Sequence, residues 1–143
     1  MNVKAILAAK GGDVVTIEPT ANLATAVKLL AERRIGALVV LGPDRDVAGI
    51  LSERDIVRAI ASQGAAVLGA LVAEVMTRKV VTCNEAETIS GVMERMTIGK
   101  FRHVPVIEQG RLLGIMSIGD VVKYRLEEIE HDAAALHDYI RGK

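Results

Sequence analysis

The sequence has no tryptophan, and its only aromatic residues of the phenyl type are Phe101, Tyr124 and Tyr139. Any core must be built from aliphatic side chains. Base-stacking platforms for single-stranded nucleic acid lack their usual ingredient. Cys83 is the only cysteine, so no internal disulfide can form, which fits a reducing compartment. Neither sign of charge is in excess: Lys plus Arg number 18, Asp plus Glu 18. No global field draws the chain to nucleic acid or to a membrane, so any basic site must be local. The longest run of apolar residues and glycine, Gly64 to Ala73, falls far short of the roughly 20 residues of a membrane span. The apolar stretch at the N-terminus is too short for a secretory signal. A cytoplasmic protein is expected, with no membrane and no nucleic-acid partner. The 143 residues suffice for one compact domain or for two small halves sharing a core.

What the chain does contain is a duplication. It reads GILSERD at 49–55 and GIMSIGD at 114–120. At an offset of 66, Val15-Thr16 falls on Val81-Thr82, Asn22 on Thr88, and Val40-Leu41 on Val106-Ile107. Leu23, Ala26, Val27 and Leu30 fall on Ile89, Val92, Met93 and Met96. After one deletion in the second copy, Ser52 meets Ser117 and Asp55 meets Asp120. A repeat of this length speaks first about architecture.

Each copy opens with a short predicted strand, Val14–Ile17 or Val80–Cys83. An amphipathic helix follows, with Asn22 or Thr88 placed to cap it. Two strands around a turn come next: Ala37–Leu41 and Val47–Leu51, then Val104–Ile107 and Leu112–Met116. A second helix starts at Ser52 or Ser117, and Ala65–Met76 reads as a connecting helix. The expected fold class is α+β (mixed α/β). Two β-α-β-β-α copies pack sheet to sheet with pseudo-twofold symmetry, and a C-terminal helix is added. The expected boundaries are 8–64 for the first copy, 65–77 for the connector, 78–128 for the second copy and 129–143 for the helical extension. One copy alone has little interior, so the duplication has a stability rationale before any ligand is considered.

Two readings of the repeated serine and aspartate stand side by side. Ser-x-x-Asp ahead of an apolar run resembles a capping box, with the acid also favoured by the helix dipole. The same geometry suits a nucleotide. Free N–H groups and a serine hydroxyl accommodate phosphate, and a carboxylate one turn in can accept both hydroxyls of a ribose. Gly49 and Gly114, just before the turn, would let a ligand approach the backbone. Neither a P-loop nor a GxGxxG motif is present.

The duplicated unit, its two G-h-x-S-x-x-D heptapeptides and the RHVPV at 102–106 resemble a tandem pair of cystathionine-β-synthase (CBS) domains, over roughly residues 10 to 125. The resemblance implies a regulatory module that binds an adenosine ligand (AMP, ADP, ATP, in some members NAD(H) or S-adenosylmethionine) in clefts between the copies. It implies ribose contacts from Asp55 and Asp120 and phosphate or ribose contacts from Ser52 and Ser117. Adenine would lie against Val15, Thr16, Lys79, Val80 and Thr82. Phosphate also needs positive charge, for which Arg54, Arg102 and His103 are the candidates, with Lys10 and Lys79 as weaker ones. Each has an ordinary alternative as an exposed ion-pair partner or a structural histidine.

After Asp120 the apolar residues Val122, Leu126, Ile129, Ala133, Leu136 and Ile140 follow a heptad spacing. This stripe packs either on the chain's own core or on a partner helix in a homodimer, the arrangement that the family resemblance favours. His131 and His137 are six apart, off one face, and no metal site is expected. No catalytic constellation is present: no HExxH, no Cys-x-x-Cys, no nucleophile elbow and no partner for Cys83. Three readings follow: an adenine-nucleotide sensor acting on an effector protein through dimer geometry, a structural dimerisation module with vestigial sites, and a nucleic-acid binder using Arg54, against which charge and composition argue.

Overall fold

The computed structural model describes residues 1–142. The chain divides into two compact units that do not follow the order of the sequence. One comprises Asp13–Val81 and Glu108–Leu113; the other comprises Met1–Gly12, Thr82–Ile107 and the chain from Gly114 on. The expected α/β class is found. Six α-helices, one 3-10 helix and two small sheets make up the described residues.

In the unit of the first copy, β1 (Thr16–Ile17) leads through α2 (Leu23–Arg33) to β2 (Ala37–Leu41), β3 (Val47–Ser52) and α3 (Glu53–Gln63). The helix is a crossover, so β1 lies parallel to β2, with Ile17 opposite Val40. The turn between β2 and β3 is short, so they lie antiparallel, with Leu38 opposite Leu51 and Val40 opposite Gly49. Asn22 caps α2 as its position suggested, accepting from Thr25 N–H at 2.9 Å. The core is aliphatic throughout: Ile17, Leu23, Ala26, Leu30, Leu38, Val40, Leu51 and Ile56 close on Val67, Val72 and Met76.

Those last three residues lie in the segment predicted as a single connecting helix. It is instead a 3-10 helix, Ala65–Gly69, followed by the four-residue α4, Val72–Val75. The break has a backbone cause. Ala70 is extended, and its carbonyl accepts the Leu23 N–H at 2.9 Å. Val72 and Ala73 donate to Ala21 and Pro19 at 2.8 and 3.0 Å. Groups spent on the 19–23 loop are withdrawn from a helix, and Gly69 further weakens helical continuity.

The unit of the second copy holds α1 (Val3–Lys10), α5 (Ile89–Gly99), α6 (Ile118–Ile140) and the hairpin strands β4 (His103–Glu108) and β5 (Arg111–Ser117), whose tip is counted with the other unit. The repeat pattern did not disclose α1. Asn2 caps it, and its Val3 and Lys4 N–H groups donate to Glu87 and Glu85 carbonyls at 2.9 and 3.1 Å. Val3 and Ile6 are fully buried, as are Ile89, Val92, Val104, Val106 and Met116. The strand predicted at Val80–Cys83 is reduced to one parallel bridge, Cys83 to Val106. In the first copy, Val39 N–H donates to Val15 at this register. Its counterpart in the second copy is Pro105, which has no N–H to give. The ladder stops there.

Candidate functional site

Both heptapeptides sit where a strand runs directly into a helix. Ser52 and Ser117 end their strands with extended backbone and serve as N-caps of α3 and α6. Each capping box is complete. Asp55 N–H donates to Ser52 Oγ at 3.2 Å, and Ser52 N–H donates to Asp55 Oδ2 at 2.9 Å. The second copy repeats this between Ser117 and Asp120 at 3.1 and 3.0 Å. A cap of this kind contributes about 0.5–2 kcal/mol. The next donor is also taken: Glu53 N–H donates to Gly36 O at 3.0 Å and Ile118 N–H to Arg102 O at 2.8 Å. Of the first-turn amides, those of Arg54 and Gly119 have no acceptor among the described residues.

Each carboxylate has one further partner, and here the copies diverge. Asp55 accepts from the Thr77 hydroxyl, at 3.2 Å to Oδ1 and 3.4 Å to Oδ2. Thr77 is held there by two backbone bonds with Ile50, at 2.8 and 3.0 Å. Asp120 accepts instead from the ammonium of Lys10, at 2.6 Å to Oδ2. The same Nζ donates to the carbonyl of Ile115, the counterpart of Ile50, at 2.9 Å. One lysine at the end of α1 thus makes the two donations, to the isoleucine carbonyl and to the aspartate, that Thr77 makes with its N–H and its hydroxyl. Burial pushes the Asp120 pKa up, but the hydrogen bonds from Lys10 and Ser117 and the charge of Lys10 outweigh it and hold the carboxyl below its ordinary value.

The two glycines have a protein explanation. A Cβ at Gly49 would lie 2.7 Å from the Thr77 carbonyl oxygen and 2.8 Å from Met76 Sδ. A Cβ at Gly114 would lie 2.6 Å from a methyl of Leu7. The space expected to admit a ligand is occupied by the chain itself.

The structure gathers some of the expected residues and separates others. Ser52, Arg54, Asp55, Val15 and Thr16 belong to the first unit, and so do Lys79 and Val80. Lys10, Thr82, Arg102, His103, Ser117 and Asp120 belong to the second. Lys10 is brought to Asp120 rather than left as a flanking charge. Arg54, Lys79 and Arg102 are exposed. The Val15 carbonyl is used by Val39, and the Thr82 carbonyl accepts from Arg95, which also pairs with Glu87. Thr77 was not foreseen: its counterpart at the offset of 66 is Gly11, so the repeat carries no signal for it. Cys83 is buried, and burial, followed by the charge of Glu87, pushes its thiol pKa up to about 12 against a smaller opposing effect of Arg95. It is not a nucleophile at neutral pH. A separate groove of about 450 Å³ opens between α2 and α3, lined by Val27, Leu30, Arg34, Ile56 and Val57 among others. It contains neither motif serine nor motif aspartate. No helix among the described residues is long and apolar enough to cross a membrane.

A mixed α/β chain whose two copies each hold a Ser-x-x-Asp cap at a strand-to-helix junction is of the tandem-repeat class. The chain belongs to the CBS domain family, whose model matches it twice, over residues 3–62 and 72–127. The mitochondrial CBS domain-containing protein CBSX3 of Arabidopsis thaliana is 36% identical over 121 residues, 82% of this chain and 59% of that protein. The chain therefore spans less than two thirds of that relative's length. The CBS-domain containing protein ATU1752 from Agrobacterium tumefaciens superposes with a TM-score of 0.84 at 52% identity, over 87% of this chain and 92% of that one. Two solved neighbours carry ligands, each at 26% identity. PAE2072 from Pyrobaculum aerophilum is complexed with AMP (TM-score 0.75; 84% of this chain, 89% of that one). The CBS domain pair of MJ0100 is in complex with 5'-methylthioadenosine and S-adenosyl-L-methionine (TM-score 0.79; 90% and 98%).

Two outcomes follow from this geometry. Gly49→Ala must displace a hydrogen-bonded carbonyl and is expected to cost about 1–3 kcal/mol. Gly114→Ala meets only the end of a leucine and costs less, as urea midpoints of the two variants will show. For Asp120 the folded-state pKa lies below the unfolded 3.8, so its pair with Lys10 stabilises the fold above about pH 4 and is lost as pH falls through the lowered value. The pair is partly exposed, at 26% and 22% for the two side chains, so its contribution at neutral pH is about 1 kcal/mol or less. The stability difference between wild type and Lys10→Met should be larger at pH 7 than in acid below the lowered Asp120 pKa, where the pair is lost and the bond from Lys10 to the Ile115 carbonyl remains.

Proposed function

We propose that this chain is a regulatory module that binds an adenosine ligand, AMP, ADP, ATP or NAD(H), through the carboxylates of Asp55 and Asp120, and passes occupancy to an effector protein through the geometry of a homodimer. The observation that carries this reading is the twice-built placement of the carboxylate. Each is fixed by a reciprocal cap, partly exposed, and keeps an oxygen lightly used. Asp55 Oδ1 accepts only from Thr77, and Asp120 Oδ1 from no described residue. A fixed acceptor is what a ribose diol requires. The AMP and methylthioadenosine bound by two structural neighbours support the choice of adenosine compounds over other sugars. Arg54 and Arg102, both exposed, are the side chains we assign to phosphate, with Ser52 and Ser117 beside them and His103 near Arg102 in sequence. Val15, Thr16, Lys79, Val80 and Thr82 are assigned to adenine.

A second reading has its own support. Both capping boxes are complete without a ligand, as a purely structural dimerisation module with vestigial sites would have them. The two readings separate in a melting experiment. A ligand that binds only the native state stabilises it by about 2.7 kcal/mol at a hundredfold excess over Kd. Wild type should therefore melt several degrees higher with at least one of AMP, ATP, NAD(H), 5'-methylthioadenosine or S-adenosylmethionine. The Asp55→Ala/Asp120→Ala chain should start lower, by about 1–3 kcal/mol for each serine N–H that loses its carboxylate acceptor, and not respond. No response of the wild type to any of the five ligands leaves the structural reading standing.

The dimer is proposed from α6. Val122, Leu126, Ile129, Leu136 and Ile140 are all exposed, Leu136 at 60%, along a heptad stripe. An uncovered stripe of this kind matches a second copy of itself. Sedimentation equilibrium should give twice the 15.3 kDa chain mass for wild type and the single mass for Leu126→Glu/Ile129→Glu, with the helical circular dichroism retained.

A further inference from the structure

The two carboxylates proposed to hold ribose are not equivalent, and the difference lies in what a ligand has to displace. Asp55 is met by a hydroxyl. Thr77 Oγ can rotate, stop donating and accept instead, so a ribose diol reaches Asp55 with no charge left behind. Asp120 is met by an ammonium. Its Oδ2 already accepts from Ser117 N–H at 3.0 Å and Lys10 Nζ at 2.6 Å, which uses the two lone pairs of that oxygen. A diol that grips both oxygens must turn Lys10 off Oδ2.

Lys10 then keeps the Ile115 carbonyl at 2.9 Å and loses the only anionic partner it has among the described residues. The ammonium has three donors and no acceptor, and at 26% side-chain exposure it is not fully returned to water. A neutral ligand offers it nothing. A ligand that carries a phosphate supplies the replacement anion in the same event. Resting on the adenosine-ligand reading above, we infer that Lys10 is the specificity-determining residue of the second copy: by exchanging the Asp120 carboxylate for a ligand phosphate, it makes that site select adenosine compounds bearing a phosphate over uncharged or cationic ones. The first copy, with Thr77 in the equivalent place, does not discriminate in this way.

The exchange separates Lys10 from an ordinary phosphate contact. An ordinary contact only strengthens the phosphorylated ligand. A lysine that must leave a carboxylate also penalises the neutral ligand, so its removal improves binding of adenosine itself.

The test uses AMP and adenosine, which differ by the phosphate alone, on the full chain. The amides of Gly119 and Arg54, one in the first turn of each motif helix, report the two copies separately by NMR titration. In wild type the Gly119 midpoint for AMP should lie at least tenfold below that for adenosine. Lys10→Met should bring the two within about threefold, with the adenosine midpoint falling, while the Arg54 midpoints stay where they are. Lys10→Arg should keep the wild-type ratio. Lys10 is at the exposed end of α1, and an amide spectrum without ligand that changes only beside Lys10, Ile115 and Asp120 confirms the fold of each variant. An adenosine midpoint that stays or rises in Lys10→Met overturns the exchange. Movement of Arg54 with no movement of Gly119 overturns the second copy as a site and leaves the first intact. If neither amide moves with either compound, the adenosine reading of the whole chain falls and this inference with it.

Discussion

A strand that turns straight into a helix leaves the first N–H groups of that helix without partners in the helix itself. In this chain the problem arises twice, at Ser52 and Ser117, and is solved twice by the same reciprocal pair. The serine oxygen takes one amide, and the aspartate takes the serine's own N–H. A carbonyl from the residue just ahead of the hairpin's first strand, Gly36 or Arg102, takes another. These bonds tie together the strand, the following helix and the loop entering the hairpin. They also determine where each carboxylate points, because an aspartate at the third helical position that reaches back to its cap has little freedom left. Structural and ligand-binding roles are therefore not rivals at this position: the bonds that make the acid a cap also hold it in a fixed pose for a partner outside the helix.

Each carboxylate is completed by a segment that precedes the first strand position of one copy but packs in the unit of the other. Residues 65–81, ahead of the bridge at Cys83, belong to the unit of the first copy and bring Thr77 to Asp55. Residues 1–12, ahead of β1, belong to the unit of the second copy and bring Lys10 to Asp120. The same segments fill the space in front of Gly49 and Gly114. Each glycine is thus tied to the exchanged segment that covers it, and a side chain there would push against the element that delivers the carboxylate's partner.

Much of this was legible in the sequence because the repeat aligns residues that do the same work. Asn22 and Thr88 cap helices as their spacing indicated. The hairpin strands fall within a residue of their expected ends, and the aliphatic core follows from the scarcity of aromatics. The misses have specific causes. The strand expected at Val80–Cys83 assumed that the copies bond alike, but Pro105 stands where Val39 donates. The connecting helix assumed that an apolar run keeps its own hydrogen bonds, but Ala70, Val72 and Ala73 give theirs to the 19–23 loop. The glycines were read as openings for a ligand because sequence does not show which distant segment comes to rest against them. Lys10 was visible as a charge near the site, whereas its bond to Asp120 spans 110 positions and no local pattern announces it.

The divergence between the copies sits outside the heptapeptides, in the residues delivered to them. Selection for the cap alone would keep Ser and Asp in both copies and would be indifferent to whether the next partner is a hydroxyl or an ammonium, since both satisfy a carboxylate. The two partners differ only when something else competes for that carboxylate. A hydroxyl yields by rotating; a cation yields at the cost of its ion pair unless the competitor brings another anion. The charge state of the competitor then decides the outcome at one copy and not at the other. A duplicated fold can in this way keep one architecture in both halves while making their responses unequal, with a single exchanged side chain as the source of the difference.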